Sequence, residues 1–153
     1  MQALELKVPP PLVALILGAA MWALSLRTQA IALDAFARAF AGGAVALLGG
    51  GVSLAGIIGF SRAKTTVSPH KPENTSALVT AGIYRFTRNP MYVGVLLVLA
   101  GWAVFLAVPW AIAGPLVFFL YIDRFQIAPE ERVLSSMFGE EYAKYRATVR
   151  RWV

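Results

Sequence analysis

No cysteine occurs anywhere in this chain of 153 residues, and histidine occurs once, at His70. A disulfide framework, a thiolate nucleophile and a cysteine metal site are therefore excluded, and cysteine usage says nothing about the redox compartment. His70 stands alone in a proline-rich stretch, where solvation accounts for it better than metal ligation or base catalysis, so no metal site is expected. Charge is scarce too: Asp, Glu, Lys and Arg make up 14% of the chain against 58% apolar residues, too greasy for an ordinary soluble fold of this size. The composition is that of a membrane protein and the length that of a single domain.

Acidic residues are the scarcer sign, eight against fourteen basic, for a net charge of +6. In a soluble domain that surplus would point to nucleic acid. Here the basic residues cluster beside apolar runs, so anionic lipid headgroups and the positive-inside bias explain them, and no nucleic-acid partner is expected.

Long uncharged runs organise the rest. Nothing is charged between Lys7 and Arg27, and residues 8–26 are long enough at about 1.5 Å per residue to cross most of a hydrocarbon core of about 30 Å. Pro9, Pro10 and Pro11 set an extended start, and Trp22 suits the far interface. A signal peptide would imitate this pattern, but no A-x-A site precedes a soluble remainder. A short mixed loop containing Asp34 leads to a second uncharged run, 39–61, rich in glycine: Gly42, Gly43, Gly49, Gly50, Gly51, Gly56 and Gly59. Small residues let helix backbones approach closely in lipid, within one chain or between chains, so an oligomer stays open. A phosphate-binding loop would need a following Lys-Ser/Thr on a soluble strand-to-helix turn, which is absent.

Residues 62–88 form a long polar connection, with Arg62, Lys64, Lys71, Arg85 and Arg88 opposed only by Glu73; loops of that length are more often functional than incidental. The next uncharged run, 89–122, is too long for one straight crossing and short for two. Pro109 and Pro115 interrupt it, and a tight helical hairpin turning at 107–110 fits best. The tail from Pro129 carries Glu130 and Glu131 where the first turn of a helix is expected, a placement the helix dipole favours. Val133, Leu134, Met137, Phe138, Tyr142, Tyr145, Val149 and Trp152 then recur at helical spacing, as on an amphipathic helix lying on the interface and covering the long loop.

The fold expected is all-α: an integral membrane bundle of about four transmembrane helices plus a C-terminal amphipathic interfacial helix, or three spans if the hairpin is re-entrant. It forms one domain over 1–153, with two spans in 1–61, a cytoplasmic loop in 62–88, and the hairpin and C-terminal segment in 89–153. Lys7, the five basic residues of the long loop and the six from Arg124 onward fall on one side, leaving Arg27 and Arg38 on the other, so both termini are expected in the cytoplasm.

On that topology Tyr84, Arg88, Asn89, Tyr92, Arg124, Glu130 and Glu131 share a face and can converge. Ionisable groups at a membrane boundary are costly to bury without partners, which makes them functional candidates. Snorkelling of Arg88 and Arg124 to lipid phosphates, with the tyrosines as an interface belt, explains the same residues equally well.

The run Gly82-x-Tyr84-x-x-x-Arg88-Asn89-Pro90-Met91-Tyr92-x-Gly94, followed by Glu130-Glu131-Arg132-x-Leu134 and Phe138-Gly139-x-x-Tyr142-x-x-Tyr145, resembles the isoprenylcysteine carboxyl methyltransferase family and its bacterial relatives, themselves similar to the phospholipid methyltransferases. The resemblance covers about the C-terminal three-fifths of the chain and rests on two linked motifs in order. It implies an integral membrane methyltransferase, in a bacterial inner membrane, that uses S-adenosylmethionine and releases S-adenosylhomocysteine. The cofactor would lie between Gly82, Tyr84, Arg88, Asn89, Pro90 and Tyr92 of the first motif and Glu130 and Glu131 of the second, with a lipophilic small-molecule or lipid acceptor entering from the bilayer. One position departs: the eukaryotic prenylcysteine enzymes have His where this chain has Asn89, which hydrogen-bonds but does not titrate near neutral pH.

The residue types suit that cofactor. An Arg or free helix-start N–H groups can hold its carboxylate, a Glu its ribose diol, and the faces of Tyr84 or Tyr92 its sulfonium. A carboxylate acceptor needs a cation to place it, for which Arg124 is the candidate; an amine or thiol must lose a proton, for which Glu131 is the first suspect. Two alternatives share these features: a membrane reductase using a nicotinamide cofactor, as sterol reductases have a similar C-terminal half, and a non-catalytic membrane scaffold.

Overall fold

The structure is a computed structural model that describes residues 5–62 and 77–153; Lys64, His70, Lys71 and Glu73 of the long connection lie outside the described residues. The described chain is helical: α1 (Pro10–Ser25), α2 (Ala35–Arg62), a 3-10 turn (Gly82–Arg85), α3 (Pro90–Leu106), a second 3-10 turn (Pro109–Ile112), α4 (Ala113–Ile122), one π turn (Asp123–Ile127) and α5 (Ala128–Thr148). Two helical stretches are long and apolar enough to cross a membrane: α2, and the continuous run Pro109–Thr148, whose apolar part is α4. At 28 residues α2 measures about 42 Å, while α1 and α3 are shorter apolar helices of 16 and 17 residues.

The second helix begins ahead of the uncharged run, at Ala35. The Asp34 carboxylate accepts from the Ala37 N–H at 2.9 Å, satisfying a donor that the first helical turn leaves open, and Arg38 is carried inside the helix. From there α2 runs against α3 along a seam of small residues. A Cβ at Gly42 would stand 2.6 Å from the Gly101 carbonyl oxygen, and one at Gly49 would stand 2.5 Å from that of Gly94. Gly56 meets Pro90 and Met91, and Ser53 donates to the Met91 carbonyl at 3.1 Å. Gly43, Gly50 and Gly51 face open space. The glycines therefore divide into Gly42, Gly49 and Gly56, packed on α3, Gly59, packed on the Tyr84 ring, and a set that packs against nothing among the described residues.

The first helix lies against α3 and α4. Trp102 donates its indole N–H to the Gly18 carbonyl at 3.1 Å, and Met21 fills the space left by Gly114. Met21, Tyr92, Leu99, Leu106, Val108, Ala111, Phe118, Ile122 and Ile127 form the main buried cluster. The large apolar residues on the outer faces of α1, α2 and α4, such as Leu15, Phe36, Leu47 and Leu120, are exposed, the pattern of helices that face lipid rather than water.

Ala107 takes the left-handed conformation, φ 51°, and ends α3; Pro109 opens the next turn. The third and fourth helices are thus joined by a reversal at the expected place. Beyond α4 the chain departs from its sequence pattern. The helix expected to start at Pro129 has no free N-terminus, because α4 continues into α5 through the π turn and Ile127 is itself helical. The helix dipole therefore does not explain Glu130 and Glu131. The tail also leaves helical geometry earlier than its apolar spacing suggests: α5 kinks at Gly139, φ 48°, and Val149 is extended, so Val149 and Trp152 are not on the helix. Tyr142, Tyr145 and Val149 form a second small core with Leu78, Leu134 and Phe138, which brings α5 over the segment before α3.

Candidate active site

Three pieces of chain meet at the candidate site: the segment leading into α3, the first turn of α5, and the tail beyond Thr148. Gly82, at φ 62°, opens the 3-10 turn in a conformation that favours glycine. Tyr84 is buried, its ring edge-on to Phe60 and in contact range of Gly59, and its carbonyl accepts from the Tyr145 hydroxyl at 2.7 Å. It anchors the segment to α2 and α5. Pro90 is the first residue of α3, where its missing N–H costs nothing.

Beyond that anchor the polar side chains interlock. Arg88 donates to Glu131 Oε1 at 2.6 Å and to the Val149 carbonyl at 2.5 Å. Tyr92 donates to Glu130 Oε1 at 2.6 Å. Asn89 makes no side-chain cap to α3; its amide donates to the Arg151 carbonyl at 2.9 Å, and its own N–H goes to Thr87 Oγ1 at 3.1 Å. The Arg88 N–H closes the set, donating to the Arg150 carbonyl at 3.0 Å.

The tail contributes residues that the sequence motifs do not contain. Arg151 donates to Glu131 through Nε at 3.1 Å and through a terminal nitrogen at 2.5 Å, and its other terminal nitrogen reaches both oxygens of Asp123 at 3.0 and 3.1 Å. Trp152 adds its indole N–H to Asp123 at 2.9 Å and packs on Phe119 with ring centroids 4.7 Å apart. Sequence reasoning misses Asp123, Arg151, Thr87 and the polar role of Trp152. One signal could have found the first of them: Asp123 is the first charge after a long uncharged run, and an acid at the end of an apolar helix needs a partner.

The two adjacent carboxylates have opposite surroundings. Burial works to raise Glu131, but the hydrogen bonds from Arg151 and Arg88 outweigh it and hold the carboxyl below its ordinary value. Glu130 has no cation within ion-pair reach among the described residues. Burial pushes it up to about 8, against the Tyr92 hydrogen bond and with the Glu131 charge adding to the rise. Burial likewise raises the phenols of Tyr84, Tyr142 and Tyr145; those of Tyr84 and Tyr145 donate to the Gly56 and Tyr84 carbonyls.

Arg124 stands apart from this cluster. It projects from the π turn and donates to Glu5 at 2.9 Å, while Arg132 pairs with the other Glu5 oxygen. Leu6 and Gln126 extend that contact, the Leu6 N–H reaching the Phe125 carbonyl at 3.0 Å and the Gln126 amide reaching that of Val8 at 2.7 Å. Gly82, Tyr84, Arg88, Asn89, Pro90, Tyr92, Glu130 and Glu131 are therefore brought into one assembly, and Arg124 serves a separate clamp on the N-terminal segment.

Beside the assembly lies an open groove of about 540 Å³ with Glu131, Ser135, Arg146 and Arg151 on its walls. The sequence model of the phospholipid methyltransferase family matches residues 37–141, from the first turn of α2 to the middle of α5. The chain belongs to that family. A protein of Haemophilus influenzae described as uncharacterized is 46% identical over 63 residues, which are 41% of this chain and all of the relative. No solved structure matches the chain. As a member of the phospholipid methyltransferase family it is a membrane protein of methyltransferase type. Arg88 and Glu131, the charged residues that join its two motifs, both fall inside the matched residues.

Proposed function

We propose that the protein is an S-adenosylmethionine-dependent methyltransferase acting on a lipophilic acceptor, with its site at the junction of α3, α5 and the tail. One observation carries the reading: the two motifs, 43 residues apart at Arg88 and Glu131, are joined side chain to side chain. A scaffold has no need to bury such a pair at a bilayer boundary, where unpaired charge is expensive.

The residues present suit the cofactor. The groove beside them offers a carboxylate, Glu131, for hydroxyl donors and arginines for a carboxylate group. Arg88 is not on the groove wall but holds Glu131, and its Nε is buried without an acceptor among the described residues. When bound, the cofactor supplies an electrophilic methyl group. The chain's part is to orient it and to keep water away, which can supply much of the acceleration of an in-line displacement. Glu131, held ionised between two arginines, is suited to accepting hydrogen bonds. Glu130, whose raised value makes its ionised fraction the stronger base, is better placed to receive a proton from an acceptor that must lose one.

This reading includes four membrane crossings by α1, α2, α3 and α4, with α5, the site and both termini on the cytoplasmic face. A bacterial inner membrane is in keeping with the basic side of that topology and with the Haemophilus relative. The test is calorimetric titration of the protein in nanodiscs with S-adenosylmethionine and S-adenosylhomocysteine, with Arg88→Ala and NADPH alongside. Saturable adenosyl-ligand binding that is lost in the variant supports the proposal. Binding of NADPH alone, or of nothing, overturns it.

A further inference from the structure

Arg151 lies outside both motifs, yet its guanidinium uses all three nitrogens: two on Glu131 and one on Asp123. It thereby ties the tail to the first turn of α5 and to the π turn, and through Glu131 to Arg88. Neighbouring tail carbonyls take further donors of the first motif, Val149 from the Arg88 side chain, Arg150 from the Arg88 N–H, and Arg151 from Asn89 and Thr87. Arg151 also lines the groove together with Glu131. A flexible C-terminal segment gains little from so many bonds unless its position matters, because each ordered residue costs conformational entropy.

From this geometry we infer that Arg151 is a positioning residue of the cofactor site, and that the C-terminal tail is the site's third component, holding the Glu131 carboxylate aimed at the groove. The inference rests on the methyltransferase reading and extends it to a segment that neither motif includes.

The consequence is electrostatic as well as geometric. The charged and titratable groups around Glu131 are Arg88 from the segment before α3, Arg151 from the tail, Glu130 next to it, Tyr142 further along α5, and Asp123 acting through Arg151, with Arg132 and Arg146 of α5 on the same groove wall but not ion-paired with it. Removing Arg151 leaves one ion-paired cation where there were two, and burial then raises the Glu131 carboxyl. Binding that needs the carboxylate must therefore weaken more steeply as pH falls in the variant than in the wild type.

Titration of nanodisc-embedded wild type, Arg151→Ala, Arg151→Lys and Asp123→Asn with S-adenosylhomocysteine between about pH 5.5 and 8.5 tests this. We expect Arg151→Ala to lose about tenfold or more in affinity, the factor implied by loss of a charge-assisted hydrogen bond, and to lose more at low pH. Arg151→Lys recovers part of the loss and most of the wild-type pH profile, because charge returns without the bidentate fork. Asp123→Asn, which leaves Glu131 untouched, shows a smaller loss of the same sign. Carboxypeptidase digestion without ligand, read by mass spectrometry, shows faster trimming of the tail in Arg151→Ala. If the wild type binds and Arg151→Ala binds equally with the same pH profile, the inference falls while the methyltransferase reading stands. If the wild type does not bind, that reading falls and takes the inference with it. Should Arg151→Ala fail to fold, the Lys and Asn variants decide: wild-type affinity and pH profile in both overturns the role.

Discussion

The Arg88 guanidinium and the Glu131 carboxylate stand 2.6 Å apart with about nine-tenths of each side chain shielded from solvent, joining the start of α3 to the start of α5. Each is also held from the tail, Arg88 by the Val149 carbonyl and Glu131 by Arg151, so neither charge is left alone when the other moves.

Arg88→Ala removes one of two cations from Glu131 and the side-chain donor to the Arg146 and Val149 carbonyls. It should lower stability by about 2 kcal/mol, less than for a pair with no second partner, and should abolish adenosyl-ligand binding in the protein that remains folded. Thermal unfolding in detergent and calorimetry on the folded fraction measure the two effects separately. A variant of unchanged stability would mean that the pair does not form.

Glu130 gives stability a definite pH dependence. Its folded value of about 8 lies above the ordinary carboxyl value, so the folded state binds more protons than the unfolded state between about 4.5 and 8. Stability from this group is full below that window, falls as pH rises through it, and is level above it. In Glu130→Gln the slope should vanish, and in Tyr92→Phe, which loses the bond favouring the carboxylate, the window should extend upward. Unfolding midpoints from pH 5 to 9 provide the comparison. A wild type whose midpoint runs parallel to that of Glu130→Gln across this range would contradict the assignment.

The glycines of α2 should separate cleanly. Gly49→Ala places a methyl against the Gly94 backbone, which cannot yield without moving a helix, and should cost about 1–3 kcal/mol. Gly50→Ala and Gly51→Ala meet nothing and should be neutral or stabilising by up to about 1 kcal/mol through helix propensity. Melting the three variants in one detergent suffices, and equal melting temperatures would refute the seam.

Glu5, Arg124 and Arg132 form a clamp outside the main assembly, with both arginines largely exposed. Arg124→Ala should change S-adenosylhomocysteine affinity by no more than about twofold, as expected for an exposed pair whose arginine is not on the groove wall. A loss comparable to that of Arg88→Ala would give Arg124 a part in the cofactor site beyond the acceptor-placing role its position suggests.

Much of the architecture is determined by sequence alone. The uncharged runs specify apolar helices because a backbone in lipid must satisfy its hydrogen bonds internally, and Pro90 and the stop at Ala107 fall where proline chemistry and run length require. The two motifs likewise identify the family, since their residue types and spacing are local facts. What local pattern cannot express is partnership. Seven glycines look alike in sequence, and only the tertiary path decides that Gly42, Gly49 and Gly56 pack on α3 and Gly59 on Tyr84 while Gly43, Gly50 and Gly51 meet nothing among the described residues. Glu130 and Glu131 are neighbours of identical type, and their opposite charge states arise from what α3 and the tail bring to each. The apolar spacing of the tail continues past Thr148, but the helix does not, because the first motif offers the tail carbonyls better donors than another helical turn would. Asp123 and Arg151, 28 residues apart, became partners only through the π turn and the return of the chain, a long-range closure that the residues on either side do not encode.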